Sequence, residues 1–379
     1  MVKKTFKIDV EPKIFEWLFR TSGYKPEDIS KKLKIPVDTV EKWLKKEDKP
    51  TFEQVEKLSG IFKRPLASFL LSEAPEETKL PPDRRSLALA KPFSPKSYRA
   101  IRTARWVQSI SQELMVSLKI DTKPQVEKVT SLDDPQSIAR RERDSFGVSI
   151  DSQLKWKDSK MAFEQWREHI ESKNIIVLHI PIPVDEVRGF SLTDKEPFVI
   201  VVSSSDDPNA KIFTLFHEYA HAVLKDASIC NPFLEIGAHG DTHENWCDSF
   251  AGYILLPADS VRKDFASLSE MDLISKVTRI SNMYKVSKYS VLVKLKNLNL
   301  IQQSEYVTET TRLMSKKRGK PMGRKLPAPR RCFQEKGQKF VSLVLTGAQE
   351  RHITNSDALD YLSIKTKHLD IVRSMVKVK

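Results

Sequence analysis

The chain has 379 residues, 40% of them hydrophobic and 30% charged, a length that asks for about two or three domains and a composition ordinary for a globular fold. Its opening, MVKKTFKIDVEPKIFEWLF, holds no apolar h-region or cleavage pattern, and the longest apolar runs, PFVIVV and YILLP, are too short for a bilayer, so a cytoplasmic protein with no membrane contact is expected. Three widely spaced cysteines (Cys230, Cys247, Cys332) exclude a disulfide scaffold, while a net charge of +14 points to nucleic acid, an acidic partner or a solvated basic surface.

Residues 1–75 read as an all-α domain, with turn signals at Ser22-Gly23 and Lys49-Pro50. Within it, PEDISKKLKIPVDTVEKWL (26–44) reads as helix, tight turn, helix, with Ile29, Leu33, Val40 and Trp43 packing inside. On the second helix Thr39, Lys42, Lys45 and Lys46 would meet a partner, and further lysines at 31, 32, 34 and 49 make the surroundings basic, as phosphate contacts require. Asp38 and Glu41 work against that, and against base readout. Double-stranded DNA is the expected partner of this domain; docking of another protein is the alternative.

The proline-rich stretch 76–98 reads as a linker. Residues 99–305 read as an α+β unit. Helical periodicity runs through RAIRTARWVQSISQELMVSL, PQSIARRERDSFGV and AFEQWREHIESK, and strands follow at NIIVLHIPI, GFSL and PFVIVVSS. An exposed edge at GFSL or PFVIVV would hold an extended peptide through main-chain hydrogen bonds. Residues 306–379 read as a basic loop, SKKRGKPMGRKLPAPRR, and a helical C-terminal region.

The stretch that carries chemistry is TLFHEYAHAVLKD, 214–226. His217 and His221, four apart, lie on one helical face, so both imidazoles can reach one ion. Glu218 follows His217, where a carboxylate can take a proton from a metal-activated water. A catalytic zinc needs a third protein ligand, and HENWCDSFAGYILLP offers Glu244; Asp248, one turn on, can accept the free N–H of a ligand histidine and fix its tautomer. Cys230, in ASICNPF, reads as a loop thiol able to block the open metal position. His239 and His243 are candidates to steady an oxyanion.

FTLFHEYAHAVL followed by E-x-x-C-D-x-F-A-x-x-x-L-L-P resembles the ImmA/IrrE-type metallopeptidase family, and the N-terminal part, ending in KRPLASFLL and then LPPDRRS, resembles an XRE-like helix-turn-helix domain. The resemblance implies a gluzincin-like zinc peptidase, a small sheet with an HExxH helix, behind a helix-turn-helix domain. It implies Zn2+ held by His217, His221 and Glu244, with Glu218 as general base. It also implies a protein substrate, a helix-turn-helix repressor or an antitoxin, whose cleavage relieves repression. Cys247 and Asp248 depart from the usual Ala-Asn pair, as does VVSSSD from the asparagine common after the strand. The alternative is a DNA-binding regulator whose peptidase-like domain senses a ligand or binds a partner without cutting.

Overall fold

The computed structural model describes residues 6–77, 80, 93–127, 129–226, 228–230 (main chain only), 242–315 and 326–376. The described residues up to Arg102 form one compact unit and those from Thr103 onward form another. Most of the expected linker, His239 and the middle of the basic 315–331 stretch lie outside the described residues.

The first unit holds α1 (Pro12–Arg20), α2 (Pro26–Leu33), α3 (Val37–Leu44), α4 (Phe52–Phe62), a 3-10 turn (Leu66–Leu70) and the first turns of α5 (Pro95–Ser117). Lys34, left-handed at φ 58°, ends α2 and makes the short turn into α3. Ile29, Val40 and Trp43 are buried with Phe15, Trp17, Leu58 and Phe62, while Leu33 is only partly covered. The unit thus has its own apolar core, built from short amphipathic helices that none could bury alone.

The second unit is α+β. It holds α6 (Pro135–Phe146), α7 (Ile150–Leu154), α8 (Ser159–Ser172), β1 (Ile176–Ile180), β2 (Gly189–Leu192), β3 (Val199–Ser203), α9 (Pro208–Leu224), β4 (Ser228–Cys230) and α10 (Thr242–Leu255). Then come α11 (Ala258–Ser267), α12 (Leu273–Tyr284), α13 (Lys288–Asn297), α14 (Gln303–Ser315), α15 (Ala328–Gln349), α16 (Asn355–Leu362) and α17 (Leu369–Met375). The sheet order is β1-β3-β2-β4, with β1 parallel to β3 and β2 antiparallel to both its neighbours.

Three expectations change here. Cys230 is not in a loop: Ser228–Cys230 pairs with β2, Cys230 opposite Gly189. Consequently neither GFSL nor PFVIVV offers a free edge, because β3 is central and β2 has a neighbour on each side. A three-residue strand carries too little pattern to be read from sequence. The stretch 306–379 is likewise no separate region, since α15 packs along β1 within the second unit.

That packing depends on one glycine. Gly337 interrupts α15 at φ 79° and ψ 160°, a conformation essentially confined to glycine. A Cβ there would collide with the Glu171 carboxylate and the Arg167 guanidinium. These two form a buried ion pair on α8 (3.3 Å), and both reach across to the C-terminal segment. Arg167 donates to the Gln334 carbonyl at 2.7 Å, and Glu171 accepts from the Lys339 amide at 3.1 Å. Removing one partner of such a pair leaves a buried charge, which costs more than the pair contributes. Gly337→Ala is therefore expected to lower stability by about 3 kcal/mol or more. Denaturant unfolding measures the loss, and limited proteolysis should cut first near α15; an unchanged midpoint would show that the helix docks without this contact.

Candidate metal centre

α9 starts where its sequence says it should. Asp207 caps it, accepting from the Asn209 amide at 2.9 Å, Pro208 occupies the first helical position, and Lys225 closes it in the left-handed conformation. From Ile212 to Val223 every residue is buried, so the helix threads the core and its polar side chains must find partners there. Tyr219 finds one in Glu142 of α6, at 2.6 Å. Thr214, His217, Glu218 and His221 are the other polar groups in this buried run.

α10 crosses α9 and brings Glu244 and Asp248, one turn apart, onto the two histidines. His217 Nε2 lies 3.2 Å from Glu244 Oε2, His221 Nε2 lies 3.3 Å from Glu244 Oε1, and the two Nε2 atoms are 3.3 Å apart. Zinc bonds of about 2.0–2.1 Å in tetrahedral geometry require ligand atoms about 3.3–3.4 Å from one another. The two Nε2 atoms stand at that spacing from each other, and each stands at about that spacing from one oxygen of the Glu244 carboxylate, His217 from Oε2 and His221 from Oε1. The three side chains are the group of His, Cys, Asp and Glu side chains, among the described residues, that can hold a metal. Asp248 Oδ1 sits 2.9 Å from His217 Nδ1, which leaves Nε2 as the coordinating atom.

Charge is distributed to suit a cation. Burial opposes protonation of His217, but its hydrogen bonds to Asp248 and Glu244 override burial and hold its pKa well above the usual value. His221 goes the other way, burial outweighing its bond to Glu244. Glu244 resists its own burial, because hydrogen bonds from both histidines keep its carboxyl far below the ordinary range. Glu218 has no such help. Burial first, then the Glu244 charge, push its pKa up to about 8 against the pull of His217. Neither of its oxygens has a hydrogen-bond partner among the described residues; Ser191 is near enough to lower its pKa a little without reaching hydrogen-bond geometry.

The remaining candidates sort by position. Cys247 is a small buried side chain whose thiol burial pushes up. Cys230 pairs main chain to main chain with Gly189, and its side chain lies outside the described residues. The ring of His243 meets Asp226 through Nδ1 (3.1 Å) and Ser131 through Nε2 (3.3 Å), so both nitrogens have partners. His179, on β1, is buried against Phe163. Gly189 and Ser191, on the face of β2 that lies over α9, escape the sequence reading; the alternation of small residues in GFSL was the available signal.

In the first unit, Lys42, Lys45 and Lys46 are exposed and Thr39 is half-buried. Lys42 pairs with Asp38 at 2.7 Å, Lys46 with Glu11 at 2.7 Å, Lys49 with Asp9 at 2.8 Å, and Lys7 with Asp48.

Residues 170–296 match the family model of the IrrE N-terminal-like domain, Peptidase M78. The match spans all four strands, α9 and α10, so the second unit carries a metallopeptidase-like domain. Peptidases of this family are generally zinc-dependent, and the His-His-Glu group fits that donor chemistry. No curated protein matches the chain. Asp248 bonds His217 and is not one of the three converging side chains, so Asp248→Asn is expected to weaken zinc affinity by roughly 10–100-fold while leaving the fold intact. Competition with a chromophoric chelator measures this, and wild-type affinity in the variant would remove Asp248 from the site.

Proposed function

We propose that the protein is a zinc-dependent endopeptidase that cleaves a regulatory protein, a repressor or an antitoxin, and so relieves repression. The observation that carries the reading is the convergence of the buried His217, His221 and Glu244 side chains, with a buried carboxylate, Glu218, that has no hydrogen-bond partner among the described residues, on the same helix as the histidines. A pure binding module has no use for that carboxylate. Zinc, when bound, supplies the Lewis acidity that makes water a nucleophile at neutral pH. Glu218 takes the proton of the attacking water on a carboxylate oxygen and returns it to the leaving amine. Asp248 holds His217 in the tautomer that presents Nε2. The apolar core around α9 excludes bulk water and keeps these electrostatic interactions strong.

Substrate is held extended along β4, the edge of the sheet away from β1. Among the described residues no strand pairs with the outer edge of β4, where an added strand could pair. Such pairing selects a flexible segment rather than a folded core.

The first unit serves as a docking module for a protein, such as the substrate itself, in preference to DNA. Residues 6–77 contain fourteen Lys and Arg and fourteen Asp and Glu, so the segment has no net charge. Its expected phosphate-contacting lysines at 42 and 46 already face carboxylates. The basic excess of the chain lies elsewhere, residues 316–379 holding sixteen basic and five acidic side chains. Phosphate-driven binding needs uncompensated positive charge and weakens with salt. The isolated-duplex gel shift at two salt concentrations should therefore show no band that Lys42→Glu abolishes; a salt-sensitive band lost in that variant would restore the DNA-binding regulator as the leading reading.

The peptidase itself is tested by metal analysis and trapping. Wild-type protein should hold about one zinc per chain, as a single catalytic site requires, and His217→Ala and Glu244→Ala should lose it. Glu218→Gln should keep the zinc and retain, uncut, a protein that the wild type cleaves. Cleavage by Glu218→Gln at the wild-type rate would sink the mechanism.

A further inference from the structure

We infer that Gly189 is a positioning residue for Glu218: the missing side chain at this point of β2 is the space in which the glutamate carboxylate is held. The inference deepens the peptidase reading and rests on it. A Cβ built on Gly189 would stand 2.9 Å from Glu218 Cγ, 3.0 Å from Glu218 Oε1 and 2.7 Å from Thr214 Cγ2. All three are closer than ordinary carbon contacts allow. Gly189 has no positive φ among the residues recorded in that conformation, so the backbone does not demand glycine. The close approach to α9 does.

The strand has nowhere to retreat. Gly189 is in register with Val202 of β3 on one side and with Cys230 of β4 on the other. The residue before it, Arg188, is buried and ion-paired with Asp206 at 2.6 Å, and its carbonyl accepts from the Ser203 amide at 2.8 Å. On the other side α9 is a buried helix anchored by Tyr219 to Glu142. A methyl group inserted between two fixed elements moves whichever side chain can rotate. Thr214 is β-branched and stiff; Glu218 has free torsions and no hydrogen bond from a described residue to hold it. The glutamate is the part that yields.

β2 also presents Ser191 on the face shared with Gly189, buried and without a hydrogen-bond partner among the described residues. The strand therefore offers Glu218 a slot at one position and a hydroxyl two residues on. It grips the carboxylate by shape rather than by hydrogen bonds, which leaves both oxygens available to water and leaving group.

The test uses full-length protein loaded with cobalt in place of zinc and titrated with acetohydroxamate, which chelates the metal and shares its proton with a carboxylate at the base position. Visible absorption reports both metal loading and hydroxamate binding. Four proteins are compared: wild type, Thr214→Ser, Glu218→Gln, and Gly189→Ala combined with Thr214→Ser. In the last, removal of the Thr214 methyl leaves Glu218 as the obstacle that the new Cβ meets. Wild type and Thr214→Ser should bind alike. Glu218→Gln and the double variant should both bind hydroxamate on the order of tenfold more weakly or worse at unchanged cobalt per chain. Wild-type hydroxamate affinity in the double variant would overturn the inference. So would loss of cobalt together with hydroxamate, because that would make Gly189 a support of the fold. A wild-type protein that takes up no cobalt would overturn the peptidase reading itself, a result plainly separate from the other two.

Discussion

Everything in the second unit depends on keeping negative charge inside an apolar core. Glu218, Glu244 and Asp248 are all buried where α9 crosses α10, and an isolated buried carboxylate costs several kcal/mol. Two of the three are matched by imidazoles. The arrangement holds only if α9 and α10 keep their crossing to within a few tenths of an ångström, since ligand spacing and hydrogen bonds are set by that crossing. The surrounding fold can be read as the apparatus that fixes it.

The fixing is done by polar pegs set in apolar packing. Tyr219 ties α9 to Glu142 of α6. Arg143, the next residue along α6, donates to the Ile254 carbonyl at the end of α10 at 2.8 Å, and Gln153 bonds the carbonyls of Leu255 and Tyr284 at 3.2 and 3.1 Å. Carbonyls in the last turn of α10 thus obtain donors from α6 and α7, as buried helix ends require. Stacked Trp246 and Phe250 fill the face of α10 between the ligand turn and the capped end. Beside β1, Gly337 lets α15 close against Arg167 and Glu171. The C-terminal helices are therefore a structural part of the unit that holds the candidate site.

What was legible in the sequence follows from the range of each interaction. α9 and α10 announce themselves locally: a cap, a proline, a run of apolar residues and ligand types spaced by whole turns are all short-range patterns. β1 and β3 show the same kind of signal, being rich in β-branched residues. β4 does not, because a three-residue strand exists only through its pairing with β2. The roles of Gly189 and Gly337 are equally invisible, since each is defined by a side chain that arrives from another element. The charge of the first unit misleads for a related reason. Lysines near the turn look like a basic surface until their partners at Asp9, Glu11 and Asp38 are seen folded against them. A list of lysines gives no hint of which carboxylates will be opposite.

The two glutamates show how one core supports two kinds of carboxylate. Glu244 receives hydrogen bonds from two histidines and stays ionised despite its burial; Glu218 receives none from the described residues, and burial pushes it up to about 8. Environments that drive two neighbouring carboxyl groups apart in this way separate the roles of charge holder and proton carrier. A ligand must remain anionic to hold a cation. A base must lie close enough to neutrality to accept a proton and then release it. A dication at the centre would draw the pKa of Glu218 down from its metal-free position, so burial and metal act on the same group in opposite senses. The low coordination of Glu218 by protein atoms is what makes that balance possible: a carboxylate already saturated with hydrogen bonds, like Glu244, would have nothing left to give to water.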